Sequence, residues 1–196
     1  MYGEWGRTRL EPNLRQFVVA PNHTQGYTVG MQWRGGDSTG GLRVQGELTQ
    51  LEQSATFRDV PLGSWYTSER VIQGYTNRGQ SLGASIGPGS SGQWLAIDYL
   101  KSEWRLGTFL GRARLNQDVH NHYPFPSYVA YCNMDVSVYS GLRGARTGGF
   151  GLITAELSTQ NRRTPFFQNG GGCPNNGDRL DLRNTTISVT FVPFRR

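Results

Sequence analysis

The chain has 196 residues, 36% of them apolar, 17% charged and 12% aromatic, with 27 glycines. That length suits one domain spanning residues 1–196, and so little charge beside so many aromatics excludes both intrinsic disorder and a helical bundle. The net charge of +6 comes almost wholly from arginine, Lys101 being the only lysine, and arginines this scattered make no phosphate-tracking stripe for a nucleic-acid partner.

In chain order, the opening Met1-Tyr2-Gly3-Glu4-Trp5-Gly6 has neither the basic start nor the apolar run of a signal peptide. No segment reaches the roughly 20 apolar residues of a membrane helix. What recurs instead is period two, the mark of a strand whose faces meet different surroundings. In 27–33 the odd positions are Tyr27, Val29, Met31 and Trp33, with Thr28, Gly30 and Gln32 between them. In 130–138 the even positions are Ala130, Cys132, Met134, Val136 and Val138, alternating with Tyr131, Asn133, Asp135 and Ser137. No window has a helical period.

The pattern predicts eight strands near 2–9, 25–34, 41–52, 93–101, 103–116, 127–142, 148–162 and 180–194. Their links are 10–24, 35–40, 53–92, the turn Lys101-Ser102-Glu103, 117–126, 143–147 and 163–179, which alternate long and short. In an antiparallel meander alternate links share one edge, so the long links gather on one side. That asymmetry, with strands long enough to cross a bilayer at a tilt, is the signature of an outer-membrane β-barrel. Aromatics near strand ends fit an interfacial girdle: Tyr27 and Trp33, Trp94 and Tyr99, Trp104, Tyr128 and Tyr139, Phe191 and Phe194. The expected fold is therefore all-β, an antiparallel up-and-down meander of about eight strands forming a small closed barrel or an open half-barrel. A soluble β-sandwich or lipocalin-like carbohydrate-binding module is the alternative.

Catalytic and metal signatures are absent. There is no Gly-x-Ser-x-Gly elbow, and His23, His120 and His122 all fall in long links. His120 and His122 alone do not complete a metal site. Gly35–Gly41 and Gly170–Gly172 lack the lysine and following helix of a phosphate loop and read as turns. These readings predict no enzyme, no metal and no cofactor, with an outer-membrane lipid-modifying enzyme as the second alternative. Cys132 and Cys173 lie toward the same, long-link side. Their placement favours a disulfide closing a large loop in an oxidising compartment over two free thiols, although Cys132 also fits as an apolar strand residue.

Several stretches resemble the capsule assembly protein Wzi family: Tyr2-Gly3-Glu4-Trp5-Gly6, then Gly26-Tyr27-Thr28-Val29-Gly30-Met31-Gln32-Trp33. The most specific is Gln73-Gly74-Tyr75-Thr76-Asn77-Arg78-Gly79-Gln80-Ser81-Leu82-Gly83, continuing to Ile86-Gly87-Pro88-Gly89-Ser90-Ser91. The resemblance implies an outer-membrane β-barrel that helps attach capsular polysaccharide to the bacterial surface. It implies capsular or other acidic polysaccharide and outer-membrane lipid as partners. The family's barrel is larger than eight strands and carries an export signal, so the chain resembles the C-terminal part of a longer exported protein. The chain also departs from barrels ending on an aromatic, because Arg195-Arg196 follow Phe194.

The longest link, 53–92, carries the predicted ligand-binding residues Arg58, Trp65, Arg70, Tyr75 and Arg78, and link 117–126 adds Tyr123 and Phe125. Aromatic faces stack on sugar rings and planar guanidiniums pair with the carboxylates of acidic glycans. The alternative for each aromatic is packing of the link against itself or the barrel mouth.

Overall fold

The computed structural model describes residues 1–7, 14–19, 25–37, 39–53, 65–66, 74, 76–78, 80–81, 83–118, 134–165 and 180–194. Where the sequence alternates, extended strands form: β1 (Tyr2–Arg7), β2 (Gln25–Gly36), β3 (Gly40–Gln50), β6 (Ser91–Lys101), β7 (Trp104–Leu115), β8 (Asp135–Gly148), β9 (Gly151–Arg163) and β10 (Asp181–Pro193). Between β3 and β6 sit two two-residue strands, β4 (Thr76–Asn77) and β5 (Gln80–Ser81), which pair with each other. One short helix, α1 (Leu14–Val19), follows β1 in a stretch where the sequence shows no helical period. Six residues are below the length at which a helix holds itself together in water.

The eight long strands form one open antiparallel sheet in the order β1-β2-β3-β6-β7-β8-β9-β10, an up-and-down meander with every neighbour next in line. Tight turns join β2 to β3, β6 to β7 and β8 to β9, while residues 8–24, 51–90, 116–134 and 164–180 make the other links. All the long links therefore leave from one end of the sheet, as the sequence predicts. At the β2–β3 turn Asp37 does the work of an Asx turn: its Oδ1 accepts Thr39 Oγ1 at 2.7 Å, Thr39 N–H at 2.8 Å and Gly40 N–H at 3.1 Å. Those donors, the Thr39 hydroxyl first, hold its carboxyl below the usual range.

One boundary differs in a way that matters. The sequence predicts a strand end at 142 and a turn at 143–147, but β8 runs through to Gly148 and the turn is at 149–150. Gly144, inside that predicted turn, is a strand residue, and Gly141 leaves room for the Phe109 ring from the next strand.

The register assigns the faces. A line through Val29 passes Leu48, Gln93, Arg112 and Val138. Val29, Met31, Trp33, Leu95, Leu106, Leu110, Leu142, Ile187, Val189 and Phe191 stand on this outer face, and all are exposed. The opposite, inner face carries Gln32, Gln45, Asp98, Ser137 and Arg143, and side chains from strands three apart meet there. Among the described residues the buried apolar side chains are Leu51, Ala96, Ala113 and Pro165, against eleven buried polar or charged ones. The chain exposes 13707 Å², against roughly 9,300 Å² for an ordinary folded monomer of its mass. The usual arrangement of apolar inside and polar outside is reversed.

The outer apolar belt also slants across the register. The line through Met31 meets Leu95 and Leu110 but ends at Ser140, Thr159 and Thr185. On β9 and β10 the belt has moved toward the tight turns, to Ile153, Leu157, Ile187, Val189 and Phe191. Near the turns it ends in aromatics: Tyr99 and Trp104 stack with centroids 5.6 Å apart, and Lys101 Nζ stands 5.6 Å over Trp104. Two of the aromatics read as girdle residues are placed otherwise: Trp94 and Tyr139 lie on the inner face, opposite Gly111. Tyr128 lies outside the described residues. The outer edges of β1 and β10 pair with no strand of the described sheet, and Met31–Gly36 of β2 extend beyond β1.

Candidate functional site

The inner face is organised around Asp98 in the middle of β6. Its carboxylate is fully buried and accepts from two arginines of different strands. Arg43 of β3 gives Nη2 at 2.8 Å and Nε at 3.1 Å, both to Oδ2. Arg143 of β8 gives Nε to Oδ1 and Nη2 to Oδ2, each at 2.8 Å. Arg143 Nη2 also reaches Gln45 Oε1 at 3.4 Å, and Gln45 Nε2 donates to Gln32 Oε1 at 2.9 Å. A charge taken from water in this way stays ionised only where such donors replace the water.

Two glycines make the arrangement fit. Between Asp98 and Arg143 in register stands Gly107, and a Cβ there would run into the Asp98 carboxylate. The missing side chain lets Asp98 lie across β7 to meet Arg143. Two inner-face positions along, past Phe109, Gly111 faces Tyr139, whose ring fills the space a Cβ would take. The result is a low wall of aromatics beside the charges: the Arg143 guanidinium lies 5.7 Å over Trp94 and 6.0 Å over Phe109. On the far side Tyr2 donates its hydroxyl to Glu47 across β2.

At the long-link end a second polar cluster ties strand ends together. Arg114 clasps Glu52 through Nε and Nη2, Ser91 Oγ donates to Glu52 Oε1 at 2.7 Å, and Arg162 holds Asp135 by Nε at 2.8 Å and Nη2 at 2.6 Å. Leu51 N–H donates to Ser90 O at 2.8 Å, and Gln117 N–H to Gly89 O at 2.6 Å. Asp118 sits among them, buried, its Oδ1 accepting Gln53 N–H at 2.7 Å. Burial pushes its carboxyl up to about 6, the Gln53 bond opposing and the Glu52 charge adding.

Of the residues predicted to bind ligand, the structure describes two. Trp65 lies against Gly26 and touches Gly6 on the inner face at the long-link end, so part of its ring is spent on packing. Arg78 is exposed in the β4–β5 turn, at φ 50°. Arg58, Arg70 and Tyr75 lie outside the described residues, as do Tyr123, Phe125, Cys132, Cys173, His23, His120 and His122. The sequence reading missed Arg43, Asp98, Arg143, Trp94 and Phe109 as a group. The signal was present in parity for two of them: Arg43 stands between Leu42 and Val44, and Asp98 between Ile97 and Tyr99.

No family model, curated protein or solved structure matches the chain.

Proposed function

We propose that these eight strands are an arc of the wall of an outer-membrane β-barrel that takes part in assembling or attaching capsular polysaccharide at the bacterial cell surface, as a binding protein and not an enzyme. One observation carries the reading: apolar side chains are exposed on the outer face while charged ones are buried on the inner face. In water that arrangement loses the hydrophobic contribution to folding, whereas in a bilayer the outer face meets hydrocarbon. The slant of the belt supports it further. A belt at constant height in a membrane must drift across the register when strands are tilted, by the tens of degrees usual in such barrels. The open edges of β1 and β10 need partners in lipid, where an unpaired backbone group costs several kcal/mol. The arc would therefore be closed by further strands.

In this reading the long links face the cell exterior. Arg58, Arg70, Tyr75 and Arg78 contact an acidic polysaccharide there, while Trp65 anchors their link to the wall. Exposed arginine–carboxylate contacts are worth about 0–1 kcal/mol each, so the three arginines must be changed together. Replacing Arg58, Arg70 and Arg78 with glutamine should release capsule from the producing cells while the amount of protein in the outer-membrane fraction stays constant. Retention of capsule with all three replaced would remove the mouth site from the account. Recovery of the unaltered protein in the aqueous fraction would favour the soluble carbohydrate-binding module instead.

A further inference from the structure

The inner wall carries more positive charge than its own fold uses. Arg34, Arg43, Asp98, Arg143 and Glu156 stand on one register line, with Gly107 between Asp98 and Arg143. Arg105 stands on the next line toward the tight turns, opposite Leu100. Four arginines thus face two carboxylates. Asp98 binds Nε and Nη2 of both Arg43 and Arg143, and Nη1 of each has no partner among the described residues. Glu156 stands opposite Arg143 but makes no ion pair with it. Arg105 Nε is buried without a partner among the described residues. Arg34 is directly opposite Arg43, a like-charge pairing that weakens a sheet. At the long-link end the contrast is plain, for Glu52 meets a single arginine, Arg114, fork to carboxylate. Departures of this kind from locally favourable pairing are characteristic of sites kept for a ligand.

We propose that this strip binds the carboxylates of an acidic oligosaccharide inside the wall, away from the mouth. The guanidinium edges left over at Arg43 and Arg143 present planar donors of the geometry a carboxylate accepts, and Arg34 and Arg105 supply uncommitted charge on either side. A simple anion needs no more than that. The sugar is argued from what adjoins the strip: Trp94 and Phe109 offer apolar ring faces for a pyranose, and the Gln32 and Gln45 amides offer donors and acceptors for hydroxyls. The proposal rests on the reading above for its ligand class, but its site shares no residue with the mouth.

The test uses the full chain folded in detergent micelles and titrated calorimetrically with hexagalacturonate, neutral maltohexaose and inorganic phosphate. Hexagalacturonate should bind, and binding should weaken at least about tenfold in the Arg34→Gln/Arg105→Gln double variant, which leaves both Asp98 pairs in place. Arg183→Gln, on the outer face, should change nothing. Raising salt from about 0.05 to about 0.3 M should weaken binding to the unaltered chain, a measurement that needs no variant to fold. Maltohexaose binding as tightly, or an unaffected double variant, would overturn the site. Phosphate binding as tightly as hexagalacturonate would overturn the assignment to a sugar. None of these results depends on capsule retention, so a failure here is distinct from a failure of the mouth.

Discussion

Met31 and Gln32 are neighbours in β2 and point to opposite sides of the same sheet. Met31 is 53% exposed among Leu95, Leu110 and other apolar side chains. Gln32 hydrogen-bonds to Gln45, which reaches Arg143 and through it the fully buried Asp98. The outer face has few directional contacts to lose, Arg112 to Gln93 at 3.2 Å being one, so its fitness depends mainly on the solvent it meets. The inner face is the reverse, since its energy lies in hydrogen bonds and ion pairs that hold only in one arrangement. The difference teaches that this sheet is stabilised by its polar side and placed by its apolar side.

The sharpest way to break the inner face is to remove Asp98. Asp98→Ala leaves Arg43 and Arg143 pressed together without their counter-ion and should cost about 3–5 kcal/mol, read as the shift in urea unfolding from detergent micelles or vesicles. A loss near that of an exposed aspartate would mean that the two arginines find water. Next in size is the seat of the Tyr139 ring. Gly111→Ala puts a methyl where the ring lies and should cost about 1–3 kcal/mol, and the double variant Gly111→Ala/Tyr139→Ala should cost less than the two single changes together. Additive losses would show that ring and glycine are independent.

The smallest effect is at Asp118, outside the strands. Its carboxyl is raised to about 6 in the fold, above its value in the unfolded chain, so the unfolded chain gives up its proton first. The fold should lose stability through this group as pH rises from about 4 to about 6 and keep that loss above it. Asp118→Asn can still accept the Gln53 N–H through its Oδ1, and should be more stable than the unaltered protein at pH 7 but not at pH 4. Thermal midpoints at the two values decide it; an equal difference at both would place the cause elsewhere.

Much of the outer face was legible in the sequence because period two is local. Val29, Met31 and Trp33 declare their side within seven residues, and the alternation of link lengths fixes which end each strand meets. The inner face was not. Asp98 lies 55 residues from Arg43 and 45 from Arg143, so no local window holds the site. Arg143 was hidden for a further reason. It falls in the predicted turn 143–147, whereas the strand continues through it to Gly148. Trp94 and Tyr139 look like interfacial aromatics by their nearness to strand ends, and only parity, counted from the tight turns, puts them inside. Of the predicted binding residues, Trp65 shows the limit of composition as a guide: a ring suited to a sugar is also suited to Gly26.

The central claim is that the outer face meets lipid, and one pair of variants tests it most directly. Met31→Arg and Gln32→Arg introduce the same charge one residue apart, on opposite faces. Folding into phospholipid vesicles should weaken by about 2–4 kcal/mol for Met31→Arg, while Gln32→Arg should change it by well under half as much. Equal effects of the two substitutions, or a Met31→Arg chain that folds as well in water without lipid, would contradict the account.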